Sequence, residues 1–129
     1  MRSAAPIAVV TVPATAEHVH LLRTVAGSVA ARAGRTIDAI DDLRLAVDEA
    51  AGQVLGAGPA RTLTMSIASE GDGLIVELAS DATPAAWPPP GPASVLALDI
   101  LSALAGDVVF AVEDGAPTVR FSSPGDGSR

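Results

Sequence analysis

The chain contains no cysteine. That excludes a disulfide and any thiolate metal site, and it fits a reducing compartment. Lysine is absent too, so every basic residue is an arginine. Together with the heavy use of alanine, this suggests a GC-rich coding sequence. Histidine occurs only as His18 and His20, either side of Val19. On a helix that spacing points the two rings apart, which argues against a zinc site built from them. No apolar run approaches the roughly 20 residues needed to cross a bilayer. The N-terminus has two features of a secretory leader: Met1-Arg2 precedes an apolar stretch, and Ala14-Thr15-Ala16 has an A-x-A form. A single arginine and the interruption at Pro13 argue against that reading, and a first strand suits the segment better.

What is present is apolar and acidic. Of 129 residues, 49% are hydrophobic and 18% charged, and the mean hydropathy is +0.42. This predicts one ordered domain spanning 1–129, large enough for a single core and with apolar surface left for a partner. The net charge of −7 and a pI of about 4.5 oppose nonspecific binding to nucleic acid or to an anionic membrane, and favour a basic partner surface.

The β-branched run Ile7 to Val12 reads as a strand that Pro13 ends. Thr15 is a candidate N-cap for a first helix carrying Val19, Leu22, Ala26, Val29 and Ala33, with Gly34 as its stop. A second helix begins after Thr36. Its apolar stripe is Ile37, Ile40, Leu43, Val47, Ala50 and Val54, and Gly56, Gly58 and Pro59 terminate it. Arg61 to Ala68 and Leu74 to Ala79 form a predicted hairpin across Glu70-Gly71-Asp72-Gly73. Residues 81–92 hold Pro84, Pro88, Pro89, Pro90 and Pro92, so they form a lid-like loop. A third helix, 93–104, repeats through Leu96, Ile100 or Leu101, and Leu104. A last hairpin pairs 108–112 with 118–121, and a polar tail, 122–129, closes the chain. The order β-α-α-β-β-loop-α-β-β predicts an α/β (α+β) two-layer sandwich, with a mixed, largely antiparallel sheet covered on one face by three helices.

The segment Asp41-Asp42-Leu43-Arg44-Leu45-Ala46-Val47-Asp48-Glu49-Ala50 carries the most chemical information. It places carboxylates on a helix that otherwise reads as core. Glu49 and Gln53 stack one turn apart along an edge shared with Asp42. An acid and an amide so placed either activate a hydroxyl and hold a metal-bound nucleotide, or form an ordinary solvated stripe.

With Ile40 in front, this segment resembles the N-box helix of the anti-sigma factor/serine-protein kinase family, part of the GHKL (Bergerat-fold, histidine kinase-like) ATPase superfamily. Ile100-Leu101-Ser102-Ala103-Leu104-Ala105-Gly106-Asp107-Val108 is a second match, and Gly115-Ala116-Pro117-Thr118-Val119-Arg120 is similar to the family's last strand. The likeness runs from about Ala14 to Ser122. It implies that Glu49 assists the hydroxyl in phosphoryl transfer and that Gln53 stands where the family's magnesium-ligating Asn would be, one methylene longer. It places Asp81 at the adenine-recognising aspartate, with Thr83 where a glycine is expected, and Thr118 in the adenine pocket. The phosphate-cradling glycines of the ATP lid fall near Val95 and Ala97. Arg23, in the first helix, approximates an arginine that contacts the sigma factor and the competing anti-anti-sigma protein.

The resemblance therefore implies a cytoplasmic anti-sigma factor-like regulator with altered ATP- and magnesium-binding motifs. It would sequester a sigma factor, be countered by an anti-anti-sigma (STAS-type) partner, and form a homodimer as the family often does. No direct nucleic-acid or membrane contact is implied. The alternatives are an active ATP-dependent serine kinase acting on its antagonist, and a nucleotide-free protein-binding module. Read as residues alone, Asp81 is equally a turn aspartate and Arg23 a surface arginine. The proline-rich loop is a degraded lid, a docking segment or an insertion. Trp87, the only tryptophan, either anchors a partner or packs back on the domain.

Overall fold

The computed structural model describes residues 5–125. Met1-Arg2 and the end of the polar tail, 126–129, lie outside them. The elements are β1 (Pro6–Pro13), α1 (Val19–Arg32), α2 (Ile37–Leu55), β2 (Thr62–Glu70), β3 (Gly73–Ser80), α3 (Pro92–Leu104), β4 (Gly106–Glu113) and β5 (Ala116–Ser123). Their order is the expected one. The sheet runs β1-β2-β3-β5-β4, and all four pairings are antiparallel rather than mixed. The physical reason lies in β5. The α3 crossover leaves β3 and β4 parallel, but β5 inserts between them and pairs antiparallel with each.

Helices cover one face only. α2 lies centrally across β2, β3 and β5, with α1 and α3 as its neighbours. The pleat aims Leu63, Met65 and Ile67 of β2, Val76 and Leu78 of β3, and Val119 and Phe121 of β5 at Leu43, Val47, Ala50 and Val54 of α2; all are at most 2% exposed. Each large aliphatic side chain so buried contributes roughly 1.5–3 kcal/mol. No helix covers the opposite face. One of its rows reads Val9, Ser66, Glu77, Arg120 and Val109 across the five strands. No helix among the described residues is long and apolar enough to cross a membrane.

Several boundaries differ from the sequence reading. The hairpin turns shrink to Gly71-Asp72 and Asp114-Gly115, so the strands extend further than expected. Asp114 and Gly115 both take positive φ, 53° and 81°, as a tight two-residue hairpin demands. Ser122 and Ser123 belong to β5 rather than to a tail. Pro92 opens α3, a position where its missing N–H costs nothing. Thr15 does not cap α1. Its hydroxyl bonds Nδ1 of His18 at 2.6 Å, and a 3-10 turn, Ala16–His18, intervenes. Ile37 is 77% exposed at the start of α2, before that helix meets the sheet.

Thr36 does cap α2, its Oγ1 accepting the Ala39 N–H at 3.1 Å. Thr36→Ala is expected to cost about 1 kcal/mol, read as a fall in Tm of about 3 °C by calorimetric melting.

Candidate functional site

Glu49 and Gln53 lie on the flank of α2 that faces away from α1. The α1 side is taken by Arg44, whose stem lies against Gly27, and by Asp48, which pairs with Arg23. Glu49 is about 100° further round the helix than Asp48, toward α3. Both Glu49 and Gln53 are half-buried, and the Gln53 Nε2 donates to Glu49 Oε2 at 3.2 Å. The acid and the amide thus satisfy each other. On the same flank, Ala46 and Ala50 are fully buried, small enough to let α3 approach closely.

Asp81 and Thr118 are elsewhere. In β3 the core positions are Leu74, Val76, Leu78 and Ser80, so Ala79 and Asp81 belong to the helix-free face. In β5, Val119 and Phe121 are core, so Thr118 points to the same helix-free face. Thr118 pairs with Ala79 of β3, and its hydroxyl donates to the Ala116 carbonyl at 3.1 Å. The Asp81 Oδ1 accepts the backbone N–H groups of Arg61 at 2.7 Å and Thr62 at 3.2 Å, closing the start of β2. A cavity of about 450 Å³ opens there. Thr62, Thr64, Asp81, Thr83, Asp114 and Gly115 are among its lining residues. The structure therefore joins Glu49 with Gln53, and Asp81 with the β5 end, on opposite sides of one sheet.

The amide hydrogen bond from Arg61, then that from Thr62, holds the Asp81 carboxyl below its ordinary value. A depressed folded value means that the contribution is present above the unfolded aspartate range and is lost as the pH falls through the folded one. Asp81→Asn keeps the acceptor oxygen but not the charge. Urea unfolding is expected to show the wild type more stable at neutral pH, with the gap closing under acid.

The proline-rich loop is docked. Trp87 is half-buried against the core. Its indole N–H donates to the Thr118 carbonyl at 3.2 Å, and its ring lies 5.6 Å from that of Phe110. Ser94 Oγ donates to the Pro89 carbonyl at 2.6 Å, tying the loop to the first turn of α3. Val95 is exposed, whereas Ala97 is 1% exposed inside a regular helix, where its amide is bonded to the preceding turn. The Val95 and Ala97 N–H groups are therefore bonded within the helix rather than free for a phosphate.

Arg23 is ion-paired to Asp48 at 2.5 Å, and both side chains are partly exposed. Arg35 gave no sequence signal, since it sits between the Gly34 stop and the Thr36 cap. It is 9% exposed and donates to the Asp72 carbonyl at 2.8 Å and to that of Ser123 at 3.5 Å, clamping the α1–α2 link onto the far end of the sheet. Among the described residues, no group of three or more His, Asp or Glu side chains is placed to hold a metal ion.

These placements do not fit an ATP–magnesium site. Glu49 and Gln53 are bonded to each other, Asp81 and Thr118 face away from them, and the Val95 and Ala97 amides are used within a helix. The scaffold itself is another matter. Residues 12–121 match the family model described as histidine kinase-like ATPase domain. No match was found among curated proteins. That match covers most of the chain, from the end of β1 into β5, so the chain belongs to the histidine kinase-like ATPase domain family.

Proposed function

We propose that this protein is an anti-sigma factor-like regulator. It retains the histidine kinase-like scaffold and works by binding proteins rather than by turning over a nucleotide. Its client is a sigma factor, held until an anti-anti-sigma (STAS-type) protein competes for it. The observation that carries this reading is the separation of Glu49 and Gln53 from Asp81 and Thr118 by the sheet, which leaves the N-box helix without a nucleotide site to serve. The acidic net charge supports a basic, DNA-binding client through complementary long-range potential. Arg23 is partly exposed at the α1–α2 seam, where a partner carboxylate could compete with Asp48 for it.

The test is co-purification of the full chain with each sigma factor of its host, with and without magnesium-ATP. Retention of one sigma factor, independent of nucleotide, is expected. Retention of none would overturn the reading.

The second reading, an active serine kinase with Glu49 assisting the substrate hydroxyl, is favoured by one observation, the survival of Glu49 half-buried on the flank of α2 away from α1. Transfer of radiolabelled γ-phosphate to an antagonist serine would establish it.

A further inference from the structure

Helix α3 is apolar almost all the way round. Ala97 and Leu101 are buried, yet Val95, Leu96, Leu98 and Ile100 remain 61%, 59%, 41% and 37% exposed. Its single charged residue is Asp99. A helix of this composition is normally enclosed on every side, so α3 presents a surface that something covers. Beside it, α2 carries Asp38, Asp42, Leu45 and Glu49 at i, i+4, i+7 and i+11, which is one straight stripe. Leu45 is 55% exposed. This stripe lies on the flank of α2 away from α1, for the reason already given for Glu49. Neither helix puts a basic side chain there: α3 has none, and Arg44, the only one on α2, lies against Gly27 of α1.

We propose that the outer face of the α2–α3 pair docks a basic amphipathic helix of a partner protein. Its apolar side would sit on Leu96 and Ile100, which share one flank of α3, and on Leu45 of α2, and its arginines or lysines would reach Asp38, Asp42 and Asp99. Charge selects this occupant. A second copy of the chain would set the same carboxylates against each other, and an anionic membrane would be repelled by them. An apolar centre with a rim of one sign is the arrangement that gives affinity at the middle and partner choice at the edge. The inference holds whether or not the client is a sigma factor.

The probe is a fluorescently labelled 18-residue Leu/Lys amphipathic helix, with a Leu/Glu helix of the same apolar face as comparison. Anisotropy is measured on the full chain. Binding of the Leu/Lys helix is expected. It should weaken at least tenfold in the double variant Leu96→Gln/Ile100→Gln, and severalfold, with a shallower salt dependence, in Asp42→Asn/Asp99→Asn. Glu70→Gln, on the remote β2–β3 hairpin, should leave it unchanged. All five substituted residues are exposed, and circular dichroism melts confirm that each variant is folded. Equal binding of the Leu/Glu helix would overturn the proposal, as would equal weakening by Glu70→Gln. So would a chain dimer that the Leu96→Gln/Ile100→Gln variant abolishes in sedimentation, or phosphatidylcholine-vesicle binding lost in that variant.

Discussion

Trp87→Ala is expected to lower stability by about 2–3 kcal/mol, somewhat below the cost of truncating a fully buried tryptophan, because this side chain is half-buried. The change removes the ring contact with Phe110 and leaves the Thr118 carbonyl without its indole donor. It also releases the loop, whose other tie is the Ser94 to Pro89 hydrogen bond. The fall in Tm should be about 8 °C. Trp87→Phe separates the two contributions. Packing on Phe110 is largely retained, so the loss should shrink to about 1 kcal/mol, the worth of one neutral hydrogen bond. If Trp87→Ala melts like the wild type, the loop is not docked in solution, and it becomes available again as a lid.

Arg35→Met is expected to cost about 2 kcal/mol, since hydrogen bonds from a charged donor are worth about 1.5–3 kcal/mol. The guanidinium spans two carbonyls from separate segments, those of Asp72 in the β2–β3 turn and Ser123 at the end of β5. Only a planar fork does that, so Arg35→Lys should recover about half of the loss. Part of the bond energy is offset in the wild type, because the Arg35 Nε is buried with no partner among the described residues. Chemical denaturation of the three proteins measures this directly. Equal stability of Arg35→Met and the wild type would show that the clamp contributes nothing net.

Much of the fold is legible in the sequence because local punctuation and periodicity agree. Pro13, the Thr36 cap, Gly56 and the two Gly-containing turns bound elements that alternate or repeat cleanly, and the α2 stripe is read correctly from Leu43 to Val54. Periodicity carries little information where a segment offers no polar face. In α3 nearly every position is apolar, so spacing leaves Ile100 and Leu101 open. Only packing on α2 and β4 picks Ala97 and Leu101 and turns Leu96 outward. In α1, Ala30 is buried where the spacing points to Val29 and Ala33, because alanine fits a close helix contact from either register.

The candidate site is less legible, for a different reason. The sequence places Asp81 after the third strand and Thr118 in the last strand, and the pairing of Ala79 with Thr118 that brings them near each other is a property of the sheet order alone. Which side of the sheet each meets is set by the pleat, and one residue of phase reverses it. Glu49 and Gln53 are adjacent as the helical spacing requires, but their bond to each other depends on rotamers that spacing does not specify. The docking of Trp87 depends on Phe110 and Thr118, more than 20 residues away in the chain.

The central claim is that a histidine kinase-like scaffold persists here without a working nucleotide site. Titration calorimetry of the full chain with magnesium-ATP tests it most directly, with Trp87 fluorescence recorded on the same samples. No saturable heat and no change in Trp87 emission are expected. A saturable one-site isotherm that Glu49→Ala weakens or abolishes would contradict the claim and restore the kinase reading.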